Sequence, residues 1–148
     1  MMGQPLSSER LHATSVAIGG RAVLIEGASG SGKSDLALRL IDRGATLVSD
    51  DYTLVRRDGE RLIASAPATI GGKIEVRGIG IVDMPHAADV PVALIVSLAD
   101  SIARMPLDEE SRSILGVAVP VVPLVAHEAS TPIKVELALG RRDITSAG

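Results

Sequence analysis

The feature that most constrains this sequence is the glycine-rich segment GASGSGKS at residues 27–34. It satisfies the pattern G-x-x-x-x-G-K-[ST], which is typical of loops whose backbone N–H groups surround phosphate oxygens. A short apolar run, RAVLIE, precedes the segment, and DLALRLIDR follows it with apolar residues at helical spacing. This order of strand, loop and helix favours a phosphate-binding loop over an ordinary glycine-rich turn.

The residues of this segment are expected to share the binding of a magnesium nucleotide. Glycine backbone groups would face the phosphates, Lys33 would neutralise the terminal phosphates, and the Ser34 hydroxyl would ligate Mg²⁺. The predicted nucleotide-binding residues are Gly27, Ala28, Ser29, Gly30, Ser31, Gly32, Lys33 and Ser34.

The sequence around the loop predicts an α/β fold. Gly44 is placed to end the first helix, and TLVS at 46–49 predicts a second strand, which gives a βαβ unit. Asp58-Gly59 lies between two β-rich runs and predicts a hairpin with a two-residue type I′ turn. VALIVSL at 92–98 is a continuous apolar run typical of a central strand.

The second half of the chain is less regular. Residues 100–113 mix charges with a proline and indicate a loop with one helical turn. Pro120 and Pro123 favour an edge-like or irregular extension over 117–125, and IKVELAL at 133–139 alternates as a last strand would. We therefore expect a single phosphate-loop (P-loop) domain over residues 1–148, with a mostly β sheet and the helix of the loop packed on it.

The composition excludes several classes of site and binding partner. The absence of cysteine excludes disulfides and thiolate metal sites and fits a reducing compartment, so the cytoplasm is expected. A net charge of −3 without a long basic cluster argues against nucleic-acid binding. The sequence contains no long uninterrupted apolar run, so no transmembrane helix is expected. Its first residues do not resemble a secretory signal. Tyr52 is the only Phe, Tyr or Trp, so recognition of the base should be weak and the use of ATP and GTP comparable.

Acidic residues that could assist a magnesium nucleotide follow several predicted strands. Asp50 and Asp51 form a pair after the strand that succeeds the loop helix, whereas Asp83 and Asp100 are single. The position of the pair, on the strand next in sequence to the loop helix, favours these two residues over Asp83 and Asp100 as the groups that assist the nucleotide. One carboxylate would face the metal and the other would act as a general base. Spacing alone is equally consistent with a solvated turn, which is common for paired aspartates.

Three stretches, GASGSGKS, LVSDD and IEVRGIGIVDM, together resemble the catalytic domain of HPr kinase/phosphorylase, a bacterial enzyme that phosphorylates a serine of the phosphocarrier HPr. The resemblance runs from about Leu11 to Leu139. The glycine loop is shared by many nucleotide enzymes, whereas E-[IV]-R-G-[LI]-G-I is specific to this family and is matched by residues 75–81.

The resemblance implies roles for particular residues. It makes Asp50 the proton-transfer carboxylate and gives Asp51 a supporting role close to the metal, while Glu75 would complete the magnesium site with Ser34. His12 would hydrogen-bond and orient the catalytic aspartate, although a lone histidine near a terminus is more often incidental.

Three other side chains are judged by the same comparison. Arg104 matches an arginine of a loop that reaches the transferring phosphate, and without the resemblance it would be a surface arginine. His86 and His127 match nothing in the family and are expected to face solvent.

The resemblance also implies the reaction. Mg²⁺ and ATP would support kinase activity on HPr or a paralogue, inorganic phosphate would support the reverse phosphorylase reaction, and pyrophosphate is an alternative donor. Typical members carry an N-terminal domain and helical sequence after the last core strand, and neither is recognised in these 148 residues. Whether the chain forms the homo-oligomer of the family is therefore left open.

Two other functions use the same loop. A small-molecule kinase would need an arginine-rich lid, for which residues 104–112 supply only two arginines. A nucleotide-sensing regulator that transfers no phosphate would be expected to lack the acidic groups, whereas Asp50, Asp51 and Glu75 are all present.

Overall fold

The structure is a computed structural model that describes residues 7–105 and 109–147. Across these ranges the chain forms a mostly β, α/β fold of eleven strands and two helices. The elements are β1 (Ser8–Leu11), β2 (Thr14–Ile18), β3 (Arg21–Glu26), α1 (Lys33–Asp42), β4 (Thr46–Ser49), β5 (Thr53–Asp58), β6 (Arg61–Ser65), β7 (Lys73–Val76), β8 (Gly80–Asp83), β9 (Val90–Leu98), β10 (Glu110–Ile114), β11 (Val117–Leu124) and α2 (Thr131–Ala147).

Nine of these strands form one sheet around β9. The main order is β1-β5-β6-β9-β3-β2-β4, and β10 joins through β11, which pairs with β9. Strand β9 runs parallel to β3 on one side, while on the other side its start pairs with β6 and its end runs parallel to β11. Because β3, β9 and β11 are parallel, their carboxyl ends meet at one edge of the sheet, where ligands of α/β proteins bind.

Helix α1 follows the glycine loop and packs on this sheet, as the sequence predicts. Its buried face contains Leu36, Ala37 and Leu40, which share a core cluster with Val16 of β2 and Ile74 of β7. The predicted βαβ unit is confirmed, since β3 and β4 both pair antiparallel with β2, which lies between them.

The β5–β6 hairpin is confirmed, but its turn differs from the prediction. Asp58 pairs with Arg61, so the two central residues are Gly59 and Glu60 rather than Asp58 and Gly59. Gly59 has a φ of +63°, whereas Glu60 is not among the residues with positive φ, which excludes type I′.

The predicted last strand is wrong: residues 133–139 lie in helix α2. Val135 and Leu139, four residues apart, are fully buried, whereas Ile133 and Leu137 are exposed. The apolar alternation therefore combines the two faces of a helix. No helix in the described part of the chain is both long and apolar enough to cross a membrane.

Two further segments are more regular than predicted. Residues 110–114, expected in a loop, form β10. Strand β11 accommodates both prolines because its first half pairs with β10 and its second half with β9, so each half has one paired neighbour. Pro120 and Pro123 thus occupy positions that resemble an edge strand, where the missing N–H is tolerated.

Gly72, before β7, offers a test of local packing. It has a φ of +76°, and a Cβ there would lie 2.8 Å from His86 Nδ1 and 3.3 Å from the Met84 carbonyl oxygen. We expect Gly72→Ala to lower the free energy of unfolding by about 1–3 kcal/mol, from left-handed backbone strain plus crowding.

The matched control for this substitution is Gly78→Ala. Gly78 has a φ of +86°, but no atom lies within 4 Å of the point that a Cβ would occupy, so the substitution adds the backbone strain alone. Urea unfolding of both variants should give the larger loss for Gly72→Ala, and equal losses would contradict the role assigned to crowding.

Candidate active site

The glycine loop spans the gap between β3 and α1, and its lysine folds back on it. Gly30 and Gly32 have φ values of +79° and +102°, which favour glycine. Lys33 is 6% exposed, and its Nζ donates to the carbonyl oxygens of Gly27 at 2.9 Å and Ala28 at 3.1 Å. An ammonium group has three N–H donors, so one remains for a further acceptor at this loop.

Asp50 links the loop to the sheet. The residue is 8% exposed, and its carboxylate accepts hydrogen bonds on both oxygens. Oδ1 accepts from Ser34 Oγ at 2.6 Å and from Thr14 Oγ1 at 3.1 Å, and Oδ2 accepts from the backbone N of Glu75 at 2.9 Å. Because Ser34 donates its hydroxyl proton in this bond, the lone pairs of its oxygen remain available to coordinate a cation.

Asp51 points away from Asp50. It lies in the left-handed region, with a φ of +68°, and its side chain is 62% exposed. Its Oδ1 lies 3.0 Å from His12 Nε2, and its backbone N donates to Thr14 Oγ1 at 3.1 Å. The prediction that His12 hydrogen-bonds Asp50 is therefore wrong, because the left-handed backbone at Asp51 directs the Asp51 side chain, and not that of Asp50, towards the histidine.

Tyr52 supports this arrangement from the side. Its ring stacks on His12 with centroids 5.0 Å apart, and the Arg10 guanidinium lies 4.1 Å from the centre of the tyrosine ring. The ring is therefore occupied by protein contacts. Tyr52 holds His12 in place rather than offering a free surface to a nucleotide base.

The remaining predicted residues are less closely joined to the site. Glu75 is exposed and reaches Asp50 through its backbone N, while its carboxylate forms no hydrogen bond within the described ranges. Arg104 is exposed, and the structure gives it no hydrogen bond or ion pair to the other predicted site residues that it describes. No group of three or more His, Cys, Asp or Glu side chains suited to a metal occurs in the described part of the chain.

Sequence reasoning missed Thr14, which is fully buried between the two aspartates. Its hydroxyl donates to the Asp50 carboxylate and accepts from the backbone N of Asp51, so it links that carboxylate to the backbone of the next residue. A threonine two residues after the candidate histidine, at the start of a strand, was the available signal.

Arg112 also differs from the arginine expected of a kinase lid. It lies on β10 and forms an ion pair of 2.5 Å with Glu26, the residue before the glycine loop. The hydrogen bond from Arg112 to Glu26 raises the pKa of the guanidinium. This cation is therefore committed to a protein carboxylate, which weakens the small-molecule kinase hypothesis.

The sequence and the geometry agree with one known family. A family model described as the HPr serine kinase C-terminal domain matches residues 4–139. The chain belongs to this family.

Individual HPr kinase relatives support the assignment. The HPr kinase/phosphorylase of Chlorobium phaeobacteroides strain BS1 is 37% identical over 129 residues, covering 78% of this chain and 38% of the relative. That of Clostridium tetani is 38% identical over 122 residues, covering 74% and 40%. The chain thus spans about two fifths of the length of these curated relatives.

A solved structure of the HPr kinase family has the same fold. The Hpr(Ser) kinase/phosphatase of Coxiella burnetii superposes with a TM-score of 0.82 at 32% identity. The match covers 95% of this chain and 99% of that chain.

Proposed function

We propose that the protein is an ATP-dependent serine kinase, and a phosphorylase in reverse, acting on the phosphocarrier HPr or a paralogue in the cytoplasm. The observation that carries this proposal is the 2.6 Å hydrogen bond from Ser34 to Asp50, which joins the phosphate loop to the acidic pair. Family membership supports HPr or a paralogue as the substrate, and the contact between the loop and Asp50 supports phosphoryl transfer at this position.

The residues present fit a magnesium nucleotide. Ser34, Asp51 and Glu75 are the proposed metal ligands, since hydroxyl and carboxylate oxygens suit Mg²⁺ and neither acid forms an ion pair with Lys or Arg in the described structure. When bound, the ion would screen the charge of the phosphates and help orient them. Lys33 would direct its remaining N–H at the terminal phosphates, with backbone N–H groups of the loop around it.

Asp50 is proposed to move the proton. It contacts Ser34 directly, whereas Asp51 contacts the loop only through other residues. Two of its lone-pair positions accept the hydroxyls of Thr14 and Ser34 and one accepts the Glu75 N–H, which leaves one position on Oδ2 for the acceptor serine.

Both directions of the reaction use this one group. In the forward direction Asp50 takes the serine proton as the serine oxygen bonds to the γ-phosphorus and the bond to ADP breaks. In the phosphorylase reaction an oxygen of hydrogen phosphate bonds to the phosphorus of phosphoserine and the bond to the serine oxygen breaks. Asp50 passes the proton of the hydrogen phosphate to that serine oxygen, and pyrophosphate is released. His12 would hold Asp51, and Arg104 would assist the transferring phosphate from the exposed segment after β9.

The test is to incubate the purified chain with Mg²⁺, γ-labelled ATP and HPr from the same organism. We expect mass spectrometry to find one phosphate on an HPr serine, and added inorganic phosphate to remove it with release of pyrophosphate. ATP binding without labelling of HPr or its paralogues would contradict the kinase proposal. It would favour a nucleotide-sensing regulator instead.

A further inference from the structure

Thr14 begins β2 at the point where the sheet meets the glycine loop and the acidic pair. It pairs with Ile25, the last residue but one of β3, so it lies at the edge of the sheet from which the loop emerges. The residue is fully buried. A buried hydroxyl depends on protein partners for its hydrogen bonds, and both partners of the Thr14 hydroxyl belong to the acidic pair.

The Thr14 hydroxyl is the middle member of a chain of two hydrogen bonds. The backbone N–H of Asp51 donates to Thr14 Oγ1 at 3.1 Å, and the hydroxyl donates in turn to Asp50 Oδ1 at 3.1 Å. Because the first bond comes from a backbone group, it directs the hydroxyl proton at the carboxylate. Consecutive hydrogen bonds also polarise one another, so Thr14 is a stronger donor to Asp50 than an isolated hydroxyl.

Two further buried hydroxyls hold the strand on either side of Thr14. Thr53 Oγ1 donates to the Ala13 carbonyl oxygen at 2.8 Å, and it lies 2.8 Å from Ser15 Oγ. Ser15 and Thr53 are, like Thr14, fully buried. These bonds fasten the residues before and after Thr14 to the start of β5. The Thr14 hydroxyl therefore has a set position relative to the acidic pair.

The two hydroxyls that contact Asp50 come from different parts of the fold. Ser34 and Thr14 both donate to Oδ1, whereas Oδ2 accepts the Glu75 N–H. Ser34 belongs to the phosphate loop and is a proposed magnesium ligand, so its contact with Asp50 depends on what the loop holds. Thr14 belongs to the sheet, and it fixes Oδ1 independently of the ligand.

We propose that Thr14 is a positioning residue for phosphoryl transfer, an inference that rests on the proposed function. By holding Oδ1 it turns Oδ2 of Asp50 towards the acceptor serine. Because Thr14 is fully buried, it acts on the reaction through Asp50 and does not itself contact HPr. Since Asp50 moves the proton in both reactions, the kinase and the phosphorylase should depend on Thr14 to the same extent.

The test compares two substitutions of Thr14. Thr14→Val replaces the hydroxyl by a methyl group, whereas Thr14→Ser keeps the hydroxyl. We expect Thr14→Val to lower kcat of both reactions about tenfold, the effect of losing one hydrogen bond to a charged group. The KM for HPr and the Kd for Mg-ATP should stay as in the original protein. Thr14→Ser should keep the original kcat, although its missing methyl group leaves a small cavity and lowers the urea midpoint.

The matched structural control is Thr53→Val. It removes another fully buried hydroxyl, one that bonds to Ser15 and Ala13 and not to Asp50. It should lower the urea midpoint and leave kcat unchanged. Equal losses of kcat in Thr14→Val and Thr53→Val would overturn the inference, because a general loosening of the fold would then explain both. An original kcat in Thr14→Val would overturn it as well.

A double variant gives a measurement that does not depend on stability. Because Thr14 acts through Asp50, adding Thr14→Val to Asp50→Asn should lower phosphoryl transfer no further. A second tenfold loss in the double variant would show that Thr14 acts through another group, against the inference. Each of these results concerns Thr14 alone, whereas failure of the original protein to phosphorylate HPr would defeat the proposed function itself.

Discussion

Replacing Asp50 by asparagine is expected to lower phosphoryl transfer to HPr by roughly 10²–10⁴-fold, the usual contribution of a positioned general base. Binding of ATP should change by no more than a few-fold, because Lys33 and the backbone of the glycine loop are untouched. Rapid-quench measurement of the transfer step, together with titration of ATP, separates these two effects.

The hydrogen bonds around Asp50 indicate that asparagine can occupy the site without unfolding it. The amide oxygen can accept from the Glu75 N–H, and the amide NH₂ can face the hydroxyls of Thr14 and Ser34, which rotate to become acceptors. The substitution therefore removes the negative charge and the basic oxygen while keeping the shape. Circular dichroism and the urea midpoint should confirm that the variant is folded.

Asp51→Asn is the matched control, since the two aspartates are adjacent but differ in their surroundings. Asp51 is exposed and bonded to His12, so its loss should mainly alter the magnesium dependence. If Asp51→Asn abolished transfer while Asp50→Asn weakened only magnesium-dependent ATP binding, the two roles would have to be exchanged.

The parts of the site that could be predicted from the sequence are those set by local patterns. The loop with its flanking strand and helix follows from a contiguous motif, and the acidic pair follows from its place at the end of β4. The partner of His12 could not be predicted, because it depends on the φ of +68° at Asp51, which turns that side chain away from Asp50. The role of Thr14 likewise depends on the pairing of β2 with β4.

The error at residues 133–139 shows how a short pattern can satisfy two periods. Apolar residues at every second position match a strand, yet Val135 and Leu139 also match one face of a helix. The better signal was Pro132, buried in the first turn of α2 directly after Thr131, since proline is favoured at the start of a helix. The proline alone did not decide between helix and strand, because the helix is stabilised by its packing on α1 and β9, which the sequence does not show.

Substituting Lys33 by methionine is expected to weaken binding of both ATP and pyrophosphate by roughly ten- to a hundredfold, the range for hydrogen bonds to a charged group. Because both ligands share the phosphates, they should lose affinity together. Lys73→Met is the control, since Lys73 is an exposed lysine paired with Asp83 at 2.7 Å.

The same substitution should leave the stability of the fold unchanged or slightly higher. Among the residues that the structure describes, no carboxylate pairs with the buried Lys33 ammonium, and its hydrogen bonds there are to two carbonyl oxygens. Removing a buried charge of this kind relieves its desolvation, and methionine fills a similar volume. A raised melting temperature combined with lost phosphate binding would mean that Lys33 serves ligand binding and lowers the stability of the free protein. Unchanged pyrophosphate binding would instead show that the phosphates do not lie on this loop.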